Sequence, residues 1–476
     1  MSTFSQNLLQ NLVSSNNLTH HQDQPRLQTA EQVIDYIQAQ EITHIKVAIT
    51  DMLGIMRGKY MSRNKFIGAL EKGFGFCDVI AGLDIDDQLV DGLKGTGWHS
   101  GYPDAPVDIV IDSCRPIPFE QRTLLFLAEF KPSHQSLCPR QILQRIIQRS
   151  QDLGYNSQAA LEFEFTLFEN SIHDLHRNQF SELTNLTPAN CGYSMLRHTT
   201  YTEFYQHLLH TMEAMRIPIE GLHTEIGPGV LEAAICHDSA LAAADKASLF
   251  KTMTKVLAQR QGLTACFMAK WHIDQQGQSG HTHLSLQDLN GKSVFFDENK
   301  AHGISDIMRH FIAGQQQLMP ELLALLTPNV NSFARLVPGY WAPTQATWGI
   351  DNRTCALRAI TGNAAAQRIE YRVPAADTNP YLAIAVALAS GLQGIENKLE
   401  PTDAIIGNAY EVNLAPALSL PKSLSEAAQR LDQSTMARDW FGDQFIDDIV
   451  THRLHEQREA NRQVSQWQLQ RYLELA

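Results

Sequence analysis

The chain has 476 residues, 43% of them hydrophobic, which is enough for two domains with a sizeable core and no covalent staples. Its 51 acidic and 38 basic side chains give a net charge of −13, which repels nucleic acid and anionic membrane and leaves a small molecule as the default partner. An anionic substrate then calls for locally clustered arginines. Seven cysteines (Cys77, Cys114, Cys138, Cys191, Cys236, Cys266 and Cys355) lack the paired short spacing of a zinc or redox site. With no apolar run of about twenty residues and no basic and apolar leader in Met1–Arg26, the sequence predicts a cytoplasmic protein with reduced thiols.

In chain order, residues 1–26 are rich in Ser, Asn, Gln and His without apolar periodicity and predict a mobile tail. A short amphipathic helix follows over Thr29–Gln40, then a strand at His44–Thr50, a turn at Asp51–Gly54 and a second strand. A Pro-rich segment, Pro103–Pro118, precedes a strand at Thr123–Phe130, and Pro132–Pro139 reads as a linker. The domain boundary is placed there, giving an N-terminal domain over 27–131 and a larger one over 132–476. Beyond it, helices at Arg140–Gly154 and Asp238–Gly262 alternate with strands at Gln158–Phe168 and Leu263–His272, and helix-rich sequence follows Pro380. The class is α+β.

The chemistry lies on those strands. In Ala160-Leu161-Glu162-Phe163-Glu164-Phe165 the period of a strand points both carboxylates to one face. Gly280-His281-Thr282-His283-Leu284 does the same with two histidines, and Arg368-Ile369-Glu370-Tyr371-Arg372 with Arg, Glu and Arg. Glu225 and Glu232 bracket a Gly-Pro-Gly turn. Singly, each has a plain structural account: a solvated strand face, a hydrogen-bonded core histidine or a surface ion pair. Together, five carboxylates and a histidine suit hard cations with oxygen ligands, Mg²⁺ or Mn²⁺, better than zinc.

The ordered set E-x-E, E-x6-E, G-H-x-H, N-S-x-x-R-L-V-P-G-Y, N-R-x-x-x-x-R, R-I-E-x-R and N-P-Y-L resembles the glutamine synthetase superfamily from about residue 30 to the end. That resemblance implies an N-terminal β-grasp domain and a C-terminal catalytic domain. The reaction it implies uses ATP to make γ-glutamyl phosphate from glutamate, which an amine then attacks. It also implies a homo-oligomer with active sites between subunits, typically a double hexameric ring. The family pattern puts one metal on Glu164, Glu225 and Glu232 and a second, bridging the nucleotide phosphates, on Glu162, His281 and Glu370. Arg335 and Arg372 match its clamps on the glutamate carboxylates, and Gly277 matches the glycine that contacts the amino acid. Arg353, Arg358, Arg368 and His283 match residues that handle ATP and the transferring phosphoryl group, with Arg353, Arg358 and Glu370 nearest the chemistry. Phosphoryl transfer asks chiefly for positioned cations around equatorial oxygens, which this set supplies.

Two departures bear on the amine. Ammonium-using members end the flap after the glutamate-binding arginine in a glutamate, whereas this chain reads Arg335-Leu336-Val337-Pro338-Gly339-Tyr340-Trp341. Those members also carry an aspartate in a D-G-S-S loop, for which Gly73–Ile80 has no match, although Asp78 lies one place off. Ammonium is charged in water, so binding and deprotonating it needs nearby carboxylates. Trp341 either packs the flap or offers an apolar face to an organic amine. Amine-using relatives include γ-glutamylpolyamine synthetases, similar over Asp377–Glu411, and the synthetases of γ-glutamylanilide and γ-glutamylisopropylamide, similar over Gly97–Asp104. Phe74, Phe76, Trp98, Tyr340 and Trp341 are candidates for an aromatic wall. The expected acceptor is therefore an aromatic or apolar primary amine, with a polyamine or ammonium as the alternatives.

Overall fold

The computed structural model describes residues 26–475. The tail expected over residues 1–26 lies, but for Arg26, outside them. The described chain is α+β and forms two compact units, one built from segments ending at Phe76, Arg140 and Phe267, the other from 77–103, 141–159 and 268 onward. Among the described residues no helix is long and apolar enough to cross a membrane, and all seven cysteines are free thiols.

The first unit opens with the helix Ala30–Ala39, started by a capping box in which Thr29 and Gln32 satisfy each other's backbone donors. A mixed five-stranded sheet follows, ordered 56–62, 44–50, 123–130, 104–116 and 74–77. The helix Arg63–Lys72 packs on it through Phe66, whose ring lies 4.9 Å from that of Phe126. The Pro-rich segment, given no element in the sequence, is itself a strand, Asp104–Pro116. Its ladder to Thr123–Phe130 runs from Val107 to Pro116 with a bulge after Val110, so Pro106 and Pro116 sit at the margins, where a missing N–H costs little. The expected linker holds a 3₁₀ helix, Pro132–Leu137, and the helix beyond it is Pro139–Asp152.

The same unit carries an antiparallel ladder in which Tyr155–Phe168 pairs Val230–Ile235, which pairs Ile219–Thr224. Register here is set by aromatic packing. Phe163 stacks on Phe250 with centroids 6.1 Å apart and Phe165 on Phe267 at 5.2 Å, on the side facing the helix Ala240–Arg260. A one-residue slip would bury Glu162 and Glu164 in that cluster instead, which desolvation forbids.

In the second unit, Thr282–Asp288 pairs antiparallel with Arg368–Tyr371, which pairs antiparallel with Leu357–Ile360, itself parallel to Trp348–Ile350. The strand expected over Leu263–His272 exists only as Thr264–Cys266. Beyond it the backbone bonds elsewhere: the Ala269 carbonyl accepts from Gln278 N at 2.7 Å, and Lys270 bonds the Asn331 side chain. Two long helices, Asp306–Leu326 and Pro380–Glu396, cross at Gly314 and Gly394. A Cβ on Gly314 would lie 2.6 Å from the Gly394 nitrogen, so the backbones touch only because both side chains are hydrogen. Gly314→Ala is expected to destabilise the protein by about 1–3 kcal/mol, read as a lower urea midpoint at unchanged slope.

Candidate active site

The first unit presents one face of acids. Glu164 lies opposite Glu232 on the neighbouring strand, and Glu232 lies opposite His223 on the next. Directly opposed residues share a face, so the three form a row across the ladder. The hairpin through Gly227-Pro228-Gly229 returns the chain so that Glu225 joins them, as the sequence predicts. Gly229, at φ +71°, also approaches the Leu167 carbonyl so closely that a Cβ would sit 2.6 Å from it. His223 Nε2 is 3.2 Å from Glu225 Oε2 and 3.6 Å from Glu232 Oε1, and one ligand atom from each of the three lies within 4.8 Å of the others. Burial pushes Glu225 toward the neutral form, but the His223 contact and the Ile226 N–H at 2.9 Å outweigh it. The carboxyl is held below its ordinary range even with Glu162 acting against it. An oxygen-rich cluster of this kind fits Mg²⁺ or Mn²⁺. His223 was missed in the sequence, although its period-two spacing from Glu225 was readable; Tyr193 stacks on its ring at 4.3 Å.

The second unit is organised around Glu370. This carboxylate is 1% exposed and is gripped from three sides. Arg358 Nη1 donates to Oε2 at 2.9 Å, Arg372 Nη1 bonds Oε1, and His281 Nδ1 lies 3.3 Å from Oε1. Arg358 turns its other edge to Asp351, with Nε to Oδ1 at 2.9 Å. Burial disfavours the Arg358 charge, but Asp351 and Glu370 more than restore it, raising its pKa. Asp351 was not singled out in the sequence. His283 lies opposite Glu370 in the ladder, and Arg368 Nε donates to its Nδ1 at 3.4 Å. Arg353 is exposed in the turn after Ile350.

Arg335 ends the short helix Val330–Arg335. The helix is started by a capping box of Asn329 and Ser332, and both side chains also donate to Asp377 Oδ2, at 3.1 and 2.7 Å. Arg335 is 2% exposed and donates to the Val373 carbonyl at 2.9 Å and the Arg372 carbonyl at 3.2 Å, which fixes its fork. Gly277 lies against it: a Cβ there would be 2.8 Å from Arg335 Cβ and 2.9 Å from the Ala269 carbonyl oxygen.

The aromatic candidates are dispersed in character. Phe76 is buried beneath Lys59, whose ammonium is 4.5 Å from its ring centroid and 5.5 Å from that of Phe74. Trp98 is 73% exposed and meets Tyr102 edge-on at 5.4 Å. Tyr340 and Trp341 are both exposed on the flap, Trp341 with φ +56°. Asp78 is buried at 1% exposure, its N–H bonded to the Pro103 carbonyl.

The profile of the glutamine synthetase catalytic domain matches residues 136–472. The chain belongs to the glutamine synthetase family. The enzyme is 42% identical to the type-1 glutamine synthetase 2 of Dictyostelium discoideum, over 95% of this chain and 88% of that one. It is 38% identical to the glutamate–isopropylamine ligase of a Pseudomonas species, over 93% and 97%. A solved structure, apo GmaS without ligand, superposes with a TM-score of 0.80 at 24% identity, covering 93% of this chain and 99% of that one; the likeness is one of fold. The enzyme is thus an ATP-dependent ligase of this family that forms a carbon–nitrogen bond between glutamate and ammonia or an amine.

Because any side chain on residue 277 collides with Arg335, Gly277→Ala is expected to raise the glutamate KM by about tenfold or more with little change in the ATP KM, measured by steady-state ADP release.

Proposed function

We propose that the enzyme joins the γ-carboxyl of glutamate to a primary amine bearing an aromatic or apolar group, of the aniline type, and serves the breakdown of such amines in the cytoplasm. The observation that carries the reading is Trp341: an indole 45% exposed stands at the flap position where ammonium-using members hold a carboxylate. An arylamine is largely neutral at pH 7, so it needs no acid for binding and gains from an aromatic face. The relative named for isopropylamine supports an organic acceptor. The relative named glutamine synthetase and the buried Asp78 favour a second reading, in which the acceptor is ammonium.

In this reading Arg335 and Arg372 hold the glutamate carboxylates beside Gly277, while Arg353, Arg358, Arg368 and His283 hold the ATP phosphates. A γ-carboxylate oxygen displaces ADP from the terminal phosphorus to give γ-glutamyl phosphate. The amine nitrogen then attacks the acyl carbon, phosphate leaves and the nitrogen loses a proton. Glu164, Glu225 and Glu232 would hold one Mg²⁺ or Mn²⁺, with His223 beside them, and Glu162, His281 and Glu370 would hold the second. When bound, these cations neutralise phosphate oxygens as charge shifts. The β-grasp domain over 27–131, the catalytic domain over 132–476 and assembly into a double hexameric ring with shared active sites belong to the same proposal.

Steady-state ADP release with glutamate and aniline, isopropylamine, putrescine or ammonium tests it. Aniline or isopropylamine is expected to turn over fastest; faster turnover of ammonium or putrescine than of both overturns the choice of amine. Glu164→Ala is expected to cut turnover by roughly 10²–10³-fold and to weaken Mn²⁺ binding measured by calorimetry. Chelating divalent cations should stop ADP release, and adding Mg²⁺ should restore it.

A further inference from the structure

The helix Val330–Arg335 makes fewer than two turns, too few for its own hydrogen bonds to hold it in one direction. Its support comes from outside. Asp377 accepts from the side chains of Asn329 and Ser332, the pair that starts the helix, and the Glu456 carboxyl accepts from the N–H of Val330, its first residue. Two acids thus grip one turn, at the end where the helix dipole favours negative charge. Burial pushes the Glu456 carboxyl up, and the Val330 bond and the charge of Arg453 act against that rise.

Arg453 is the cation these two acids share. It is 1% exposed; its Nε donates to the Ala324 carbonyl at 2.9 Å, while its buried Nη1 makes no hydrogen bond among the described residues. Burial pushes its pKa down to about 10, with Glu456 and then Asp377 acting the other way, so the guanidinium keeps its charge at neutral pH. An alkyl side chain of similar length would fill this place without that loss of hydration. What Arg453 supplies there is charge.

The element that presents Arg453 is itself fixed. In the helix Asp443–Asn461, Arg453 and Glu456 stand one turn apart on one face, and Asp448, His452 and His455 follow one another at one-turn spacing on the next. Asp448 accepts from Lys94 N at 2.5 Å and from Gly95 N at 3.0 Å, His452 donates to the Ala81 carbonyl at 3.1 Å, and His455 Nε2 lies 3.1 Å from Asp84 Oδ2. Held on that second face, the helix can neither roll nor slide, and it offers Arg453 and Glu456 from a rigid support.

We infer that Arg453 is a positioning residue for the reaction: it steadies Asp377 and Glu456, these hold the start of the helix Val330–Arg335, and that helix aims the Arg335 guanidinium. The bonds from Arg335 to the Val373 and Arg372 carbonyls orient its fork only when its backbone is already in place. A displacement of about 1 Å in a group that positions substrate can cost on the order of a hundredfold, so a charge far from the reacting atoms can govern the site.

The role of Arg453 rests on the proposed glutamate clamp at Arg335, and Arg335→Gln is measured alongside to keep the two apart. ADP release is followed over a range of glutamate and of ATP, with whichever amine the unaltered enzyme turns over fastest, in Arg453→Met, Arg453→Lys, Glu456→Ala and Asp377→Asn. Arg453→Met is expected to raise the glutamate KM by about tenfold or more and to leave the ATP KM unchanged. Arg453→Lys keeps the charge and should restore most of the loss. Glu456→Ala should move the glutamate KM in the same direction, and Arg453→Met should add little to Asp377→Asn, because the two act in series. An unchanged glutamate KM in Arg453→Met overturns the assignment. So does an equal rise in both KM values, or full additivity with Asp377→Asn, either of which marks a merely structural arginine. Should Arg453→Met fail to fold, Glu456→Ala decides in its place, and an unchanged glutamate KM there overturns the assignment too. If Arg335→Gln itself leaves the glutamate KM unchanged, the proposed clamp falls and Arg453 loses its role with it; if Arg335→Gln raises that KM and Arg453→Met does not, only the role of Arg453 falls.

Discussion

A carboxylate cannot be taken from water without cations to meet it, and Glu370 is the place where the second unit obeys that constraint most tightly. It is held by Arg358, Arg372 and His281, which arrive from three consecutive neighbours in the ladder: the Leu357–Ile360 strand, its own strand and the segment entering Thr282–Asp288. Strand order and register are therefore also charge bookkeeping. Were the Arg368–Tyr371 strand to slip by one residue, an apolar side chain would face the Arg358 guanidinium and Glu370 would enter the apolar side with nothing to pair it. Removing one partner leaves a buried charge unmet, which costs more than the pair itself contributes.

The acid face of the first unit answers the same constraint differently. Glu162, Glu164, Glu225 and Glu232 are half-buried rather than enclosed, and a single histidine sits among the last two. The aromatic stack of Phe163, Phe165, Phe250 and Phe267 behind the strand makes this arrangement obligatory, since alternation leaves the carboxylates no other side. A packed hydrocarbon layer thus positions an ionic one. Carboxylates gathered on a fixed surface repel one another, and a cation bound among them would relieve that repulsion.

Much of this was legible in the residues because the signals were local. His44–Thr50 and Thr123–Phe130 are apolar runs closed by turns, and the structure gives the strands those same bounds. The E-x-E strand and the Gly-Pro-Gly hairpin were readable for the same reason: period-two patterns and glycines in left-handed turns leave a mark in sequence. The misreadings share a physical cause. Prolines at 106 and 116 look like breakers until the ladder shows they sit at its margins. The Ala269–Lys270 stretch looks like strand until loop and side-chain groups claim its hydrogen bonds. His223 and Asp351 escaped notice because their importance comes from partners brought near only by folding, and single residues in ordinary surroundings carry no periodic signal.

The backbone at Trp341 has a consequence of its own. A left-handed φ of +56° is a conformation that a residue with a bulky Cβ substituent adopts only at a penalty of order 1–3 kcal/mol. Glycine at that place would relax the flap, yet it would strip away the indole. Mutational drift toward a more durable molecule and retention of the ring therefore pull in opposite directions at this one codon. Selection for thermostability alone therefore favours sturdier variants in which the flap has lost its indole.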